Sequence, residues 1–283
     1  MSSRPSAPVL LSIAGSDCSA GAGIQADLKA GCAMGCYPLT AITCVVSEVP
    51  GKVDGIVPMD AAFVAQQVRL CLRHFPVRAI KTGMLYSPDI VEAVAAELQA
   101  SHSPLVVDPV MIATAGEPLM LQAAIETYEQ HIIPRTTVLT PNLDELMRLL
   151  PGAKEESECP RDADALTDAA LTLARHYGCA ILAKGGHLSG NVCTDVLALP
   201  DGSTHRWEHP RTRGISTHGT GCTLSSALAA RLAAGDDLRS ATKRALHYVG
   251  QAIGSSLHWE GIDALNHMSP LWERCAERRI RHA

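Results

Sequence analysis

The sequence predicts an α/β fold in which a mostly parallel sheet is covered by helices on both faces. Short runs rich in β-branched and apolar residues alternate with amphipathic stretches of ten or more residues, the signature of βα units. Five of the short runs end in polar or glycine residues: Gly15-Ser16-Asp17, Lys81-Thr82-Gly83, Asp108-Pro109, Thr140-Pro141-Asn142 and Lys184-Gly185-Gly186. Strands separated by helices run parallel through right-handed crossovers, and ligands gather at their carboxyl ends, so these five ends predict one site assembled across the sheet.

The first candidate strand, Val9 to Ala14, is an apolar run shorter than a secretory core that stops at Gly15. A helix over Ile24 to Met34 leads into a strand at Thr40 to Val46. The charge-free span from Ala30 to Ser47 is broken by Gly31, Gly35, Pro38 and two threonines, below the length that crosses a membrane. Further strands are predicted at Ala79 to Thr82, Leu105 to Asp108, Thr137 to Thr140, Ala180 to Lys184 and Cys193 to Leu199. Helices are predicted at Ala61 to Arg73, Ser87 to Ala100, Leu119 to Gln130, Leu143 to Leu149, Asp162 to Tyr177, Gly221 to Ala234 and Asp237 to Leu257. Pro151 to Pro160, with three glutamates, reads as a loop between units. One domain over 1–283 is expected, with a core at about 9–256 and a helical tail at 257–283 whose arginine-rich end is solvated.

Composition narrows the function classes. Hydrophobic residues at 47% supply a sizeable core, and 4% aromatics predict one built from Ala, Leu, Val and Ile. A net charge of -5 excludes the basic stripe of a nucleic-acid backbone tracker. Ten cysteines at irregular spacings include no Cys-x-x-Cys pair, which reads as reduced thiols in a cytoplasmic protein.

The strongest local signal is Thr217-His218-Gly219-Thr220-Gly221-Cys222-Thr223, followed directly by the apolar helix from Leu224 to Ala234. Gly219 and Gly221 let backbone N–H groups turn inward, and the helix adds its positive dipole end, so the turn predicts an anion cradle. A thiol in the first turn is expected to have its pKa lowered by that dipole, placing Cys222 as a proton acceptor or neighbour of a transferring group. A glycine turn with a small buried cysteine reads the motif equally well. No Gly-x-x-x-x-Gly-Lys-[Ser/Thr] occurs, which excludes a Walker-type loop. Gly21-Ala22-Gly23-Ile24-Gln25-Ala26 matches a relaxed dinucleotide fingerprint, with Glu48 near the expected acid. Six residues nevertheless separate Gly21 from the strand end, where that fingerprint demands an immediate turn.

Together, Ile13 to Asp17, Gly21 to Lys29, Lys81 to Met84, Asp108 to Met111, Thr140 to Asn142, Lys184 to His187 and Thr217 to Thr223 resemble the hydroxymethylpyrimidine/phosphomethylpyrimidine kinases of thiamine synthesis, within the ribokinase superfamily. The resemblance runs from about Val9 to Ser256 with the motifs in family order. It implies a ribokinase-like three-layer sandwich with a sheet of about eight strands, ATP as co-substrate and Mg2+ as cofactor. It also implies a cytoplasmic enzyme and a homodimer, with no nucleic-acid or membrane partner. Glu48 matches the family residue that hydrogen-bonds the pyrimidine ring and its amino group, a contact suited to a carboxylate. Gly15, Ala22, Asp27, Val46, Met84 and Val110 match positions around the substrate. Asp108 and Glu145 resemble the acids that hold magnesium, and magnesium needs few direct carboxylates. Asn142 and Lys184 fall on the nucleotide side, together with Thr220 and Gly221, Lys184 as a point charge on phosphate oxygens. Gly219, Thr220, Gly221 and Cys222 form the catalytic turn. Without the family, Asn142 and Glu145 read equally as a helix capping pair.

The chain departs from the family pattern at Cys18 and Ala20, where proline and glycine are usual, at Thr114 and Leu246, where lysine is common, and at Val49-Pro50-Gly51. The expected reaction is phosphorylation of 4-amino-5-hydroxymethyl-2-methylpyrimidine and then of its monophosphate. Pyridoxal or pyridoxine kinase activity is the alternative enzyme reading, and a non-catalytic pyrimidine sensor is the alternative from another class.

Overall fold

The computed structural model describes residues 6–111, 120–152, 159–186, 188, 190–212 and 218–268. Thr114, His187, Thr217 and the tail beyond Met268 lie outside them. Its centre is a nine-stranded sheet in the order β3-β2-β1-β4-β5-β6-β7-β8-β9. The strands are β1 (Val9–Asp17), β2 (Tyr37–Val49), β3 (Lys52–Pro58), β4 (Val77–Thr82), β5 (Leu105–Val107), β6 (Val138–Leu139), β7 (Ala180–Ala183), β8 (Val192–Ala198) and β9 (Thr204–Pro210). The β2-β1-β4-β5-β6-β7 run is parallel. The β2-β3, β7-β8 and β8-β9 pairs are antiparallel because hairpins, not helices, connect them.

Period-two alternation divides the strand side chains between two cores. Leu11, Ile13, Ile80, Leu105, Val107, Leu139 and Ile181 face one layer, and Leu10, Ala79, Val106, Val138, Ala180 and Leu182 face the other. The first layer is α2 (Ala61–His74), α3 (Pro88–Leu98), α4 (Gln122–His131), α5 (Leu143–Leu149) and α6 (Ala163–Tyr177). The second contains α1 (Gly23–Ala33), α7 (Thr220–Ala233) and α8 (Leu238–Gly254). The three-layer α/β sandwich expected from the sequence is present, and among the described residues Tyr128 and Tyr248 are the only aromatics in its buried core.

Two features differ from expectation. The sheet has nine strands because β3 and β9 add exposed edges. Their side chains are mostly polar or solvent-facing, so they carry no buried alternation. The helical tail expected from Leu257 is replaced over 257–264 by a hairpin of β10 (Leu257–Trp259) and β11 (Ile262–Ala264). Helix α8 stops early because the Ser255 and Ser256 hydroxyls take the Gln251 and Ile253 carbonyls, both at 2.7 Å. Gly261, at φ +77°, then turns the chain between the paired Trp259 and Ile262.

Candidate active site

The chain passes from β1 to β2 on one side and then returns to β4 on the other, so the strand order switches beside β1. Such a switch leaves a crevice at the carboxyl ends of the strands. Helix α7 packs across β1, β4 and β5, bringing its N-terminus to that crevice.

Gly219 is the N-cap of α7 at φ +80°, and a Cβ there would lie 1.9 Å from the Gly21 carbonyl oxygen. Only glycine tolerates both the left-handed backbone and this approach. The Thr223 amide and hydroxyl both donate to the Gly219 carbonyl, at 2.9 and 2.7 Å, which turns that carbonyl into the helix. At Gly221 an added Cβ would sit 3.2 Å from Lys184 Nζ and 3.4 Å from Asp108 Oδ2. The cradle therefore abuts the charged cluster directly.

Asp108 follows β5 and is buried, accepting from Lys184 Nζ and Thr140 Oγ1, each at 3.2 Å. Lys184, following β7, also lies 3.8 Å from Glu145 Oε2. The lysine is held charged because these two acids outweigh its burial. The same Glu145 oxygen accepts the Asn142 amide at 2.8 Å, while Asn142 Oδ1 accepts the Glu145 amide at 2.9 Å. The Asn142-Glu145 pair is therefore a capping box, and its acid lies beside Lys184. Burial, reinforced by Asp108 and opposed by Lys184, pushes the Glu145 carboxyl up to about 7. Asp195 Oδ1 accepts the Gly185 amide at 3.0 Å, and so fixes the turn that carries Lys184.

Among the described residues no three His, Cys, Asp or Glu side chains gather as a metal cage. Two buried carboxylates converging on the Lys184 ammonium are nevertheless a donor set that suits Mg2+, which keeps waters and takes phosphate oxygens for its remaining positions.

The expectation for Cys222 is corrected. Burial raises its pKa first, Asp108 and Asp27 add to the rise, and Lys81 with the Gly23 backbone hydrogen bond oppose it, leaving the thiol pushed up to about 12. Desolvation outweighs the helix dipole, so the group is a neutral thiol. Turnover is therefore expected to show no ascending thiol limb between about pH 7 and 9. A limb in that range that vanishes in Cys222→Ser would contradict the protonated state.

On the other side of the crevice, Cys44, Val46 and Met84 form a small apolar cluster, with Tyr86 and Val110 packed against it. Gly15 backs onto it: a Cβ there would meet Cys44 Sγ at 2.7 Å and Met84 Sδ at 3.5 Å. Val46 and Glu48 share one face of β2, two residues apart. The β2-β3 register slips at Ser47/Glu48, with Asp54 as the extra residue, a bulge of the kind that re-aims a side chain beside a site. Pro50 and Gly51, at φ +85°, supply the residue types of a type II turn closing this hairpin. Burial first, and then Asp17, raise the Glu48 carboxyl to about 6 against the pull of His218.

Ala22 is the N-cap of α1 and gives its amide to Asp17 Oδ2 at 2.7 Å. Asp27 is not brought to the crevice. It is fully buried, pairs with Lys81 Nζ at 2.9 Å through both oxygens, and accepts the Ser12 and Ser226 hydroxyls at 2.5 and 2.6 Å. With its acceptor capacity taken and no exposed surface, it ties α1, β1, β4 and α7 together beneath the cradle. Asp17, which the sequence placed at a polar strand end without assigning it a role, accepts His218 Nε2 at 2.9 Å across the crevice. Its partner lies 201 positions away, so local patterning could not reveal it.

A parallel sheet whose switch point joins a glycine-anchored helix start to a lysine between two buried acids defines the class: an α/β enzyme built to handle phosphate. The comparisons define the particular family. Residues 17–265 match the phosphomethylpyrimidine kinase family model, and the chain belongs to that family. It is 40% identical over 247 residues to a Streptomyces coelicolor hydroxymethylpyrimidine/phosphomethylpyrimidine kinase, covering 87% of this chain and 88% of that one. A Schizosaccharomyces pombe relative is 39% identical over 95% of this chain, which spans about half, 51%, of that protein's length. Among solved structures, Bacillus subtilis pyridoxal kinase in complex with ADP superposes with a TM-score of 0.82 at 31% identity, covering 93% and 98% of the two chains. The Clostridium difficile phosphomethylpyrimidine kinase gives 0.73 at 31% identity, covering 87% and 99%.

Proposed function

We propose that this chain transfers the γ-phosphoryl group of ATP to the hydroxymethyl group of 4-amino-5-hydroxymethyl-2-methylpyrimidine, and then phosphorylates the monophosphate to the diphosphate, in thiamine biosynthesis. The observation that carries this reading is the juxtaposition at Gly221: the cradle touches the Asp108-Lys184 pair on one side and shares its crevice with Glu48 and the Val46-Met84 cluster on the other.

In this reading the ring lies on Val46, Met84 and Val110, with its amino edge on Glu48. The amides of Thr220, Gly221 and Cys222 receive the transferring group, and Lys184 neutralises its oxygens. Asp108 and Glu145 would hold Mg2+, which would supply positive charge against the negative charge that develops on the transferring group. The bond from γ-phosphorus to its bridging oxygen breaks as the alcohol oxygen bonds to phosphorus. The alcohol proton leaves late, to a phosphoryl oxygen, so the neutral Cys222 thiol serves as a hydrogen-bonding neighbour and not as a thiolate base. Mass spectrometry of the products from ATP, magnesium and a panel of acceptors tests the reading. Absence of both pyrimidine phosphates would sink it.

The TM-score of 0.82 with a pyridoxal kinase favours a second reading, phosphorylation of pyridoxal or pyridoxine in the same crevice. Relative kcat/KM for the pyrimidine and pyridoxine decides between the two. Assembly as a homodimer in the cytoplasm, implied by the family resemblance, is tested by sedimentation and by fractionation.

The raised Glu48 pKa yields a sign for the pH dependence. An aminopyrimidine edge offers one donor and one acceptor side by side, which a protonated carboxyl matches at both positions and a carboxylate at only one. Binding then takes up a proton, and affinity is expected to fall as pH rises through about 6. Glu48→Gln, a permanent donor and acceptor, retains affinity and loses this dependence, whereas Glu48→Ala raises KM for the pyrimidine far more than for ATP. An opposite slope, or equal effects on both KM values, would remove Glu48 from the ring.

A further inference from the structure

The loop opening α1 and the turn opening α7 come from distant parts of the chain and are built against each other. Asp17 is fully buried at the end of β1. Its Oδ1 accepts the Ser19 amide at 2.7 Å, and its Oδ2 accepts the Ser19 hydroxyl at 3.0 Å, the Ala22 amide at 2.7 Å and His218 Nε2 at 2.9 Å. One carboxylate thus shapes the first loop and holds the residue before Gly219. Burial opposes its charge, yet the His218, Ser19 and Ala22 hydrogen bonds win and hold the carboxyl at about 2, a fixed anion.

Steric contact repeats the connection. Besides the Gly219-Gly21 approach, a Cβ at Gly21 would lie 2.8 Å from His218 Cδ2. The same loop reaches Glu48: Cys18 Sγ donates to the Glu48 carbonyl at 3.1 Å and accepts its amide at 3.4 Å. Between these two attachments Ala20 sits at φ +62°, a left-handed conformation that a non-glycine residue holds only when its surroundings impose it. A contiguous line of contacts therefore runs from Glu48 through Cys18, Asp17 and His218 to Gly219.

We propose that Asp17 and His218 act as positioning residues that latch the acceptor subsite to the phosphate cradle, so that filling either raises the affinity of the other. The inference rests on the functional reading above, in which the ring occupies Glu48 and phosphate the cradle. Coupling between two binding sites is reciprocal, so the pyrimidine must tighten ADP by the factor by which ADP tightens the pyrimidine.

Calorimetric titration of the full chain with ADP and magnesium, with and without saturating hydroxymethylpyrimidine, and in the reverse order, measures that factor. In the native sequence it is expected on the order of tenfold in both directions. In Asp17→Asn and in His218→Asn the factor falls towards one while each ligand alone still binds. The double variant falls no further than either single one, because both remove the same contact. A merely structural role would weaken both ligands and leave the factor intact. Should Asp17→Asn fail to fold, Cys18→Ala cuts the same line at an exposed thiol and gives the same loss of coupling. Native protein that binds both ligands with a factor of one overturns the latch alone, as does a full factor in the variants. Protein that binds ADP but no pyrimidine overturns the functional reading and the latch with it.

Discussion

Gly219→Ala is expected to lower kcat by about 100- to 1,000-fold, the loss typical of removing one donor from a preorganised anion site. The added Cβ falls 1.9 Å from the Gly21 carbonyl oxygen and 2.7 Å from its carbon, both backbone atoms that have no rotamer to change. The φ of +80° is itself unfavourable to alanine. The turn must therefore move, and the amides of Thr220, Gly221 and Cys222 move with it. Gly250→Ala is the control, since nothing lies within 4 Å of its Cβ position and it sits exposed inside α8. Steady-state rates of the two variants decide the matter, and a Gly219→Ala enzyme within threefold of the native rate would refute the cradle.

Lys81→Met is expected to destabilise the fold by about 3–5 kcal/mol, because it strands the Asp27 charge in a fully buried site. For a chain of this size that corresponds to a fall in Tm of roughly 6–20 °C. Both side chains of the pair are fully buried, and Asp27 would keep only the Ser12 and Ser226 hydroxyls. Burial works against the lysine charge, yet Asp27 above all, with Asp108, keeps it raised above its ordinary pKa. The double replacement Asp27→Leu with Lys81→Met is expected to be more stable than Lys81→Met alone, since it removes the charge left behind. Thermal denaturation of the three proteins tests this. A single variant within about 1 kcal/mol of native would show that water or a rearrangement rescues the carboxylate.

These two expectations concern residues that differ in how far they could be read beforehand. The glycine turn was legible because it is local: two glycines, a thiol and an apolar helix stand in consecutive positions. Lys81 was visible only as a polar strand end pointing towards the site. Its side chain in fact turns to the α1 and α7 layer, to a partner 54 positions earlier. Asp27 was misassigned for the same reason, since a motif records that a residue is constrained and not what constrains it. Cys222 shows a third kind of limit. Its place at a helix start was read correctly, but its protonation depends on how much water the packed layers exclude, and burial overrode the dipole.

The central strands were legible because β1, β4, β5, β6 and β7 are covered on both faces and read as short apolar runs. Strands β3 and β9 were not, because edge strands are specified by the ladder they join. The early end of α8 is a contest between helix propensity and serine hydroxyls that the sequence pattern leaves even.

By itself the sequence determined the α/β class, the approximate places of the helices and central strands, the glycine turn that opens α7 and the family, all of which follow from periodicity and from contiguous motifs. Only the tertiary structure decided which charges meet: Asp27 with Lys81 in the core, Lys184 with Asp108 and Glu145 at the site, and Asp17 with His218 across the crevice. Those pairings depend on crossovers bringing distant strand ends to within a few ångströms, and the energy of a charge depends on the burial it finds there, a quantity that no single stretch of chain contains.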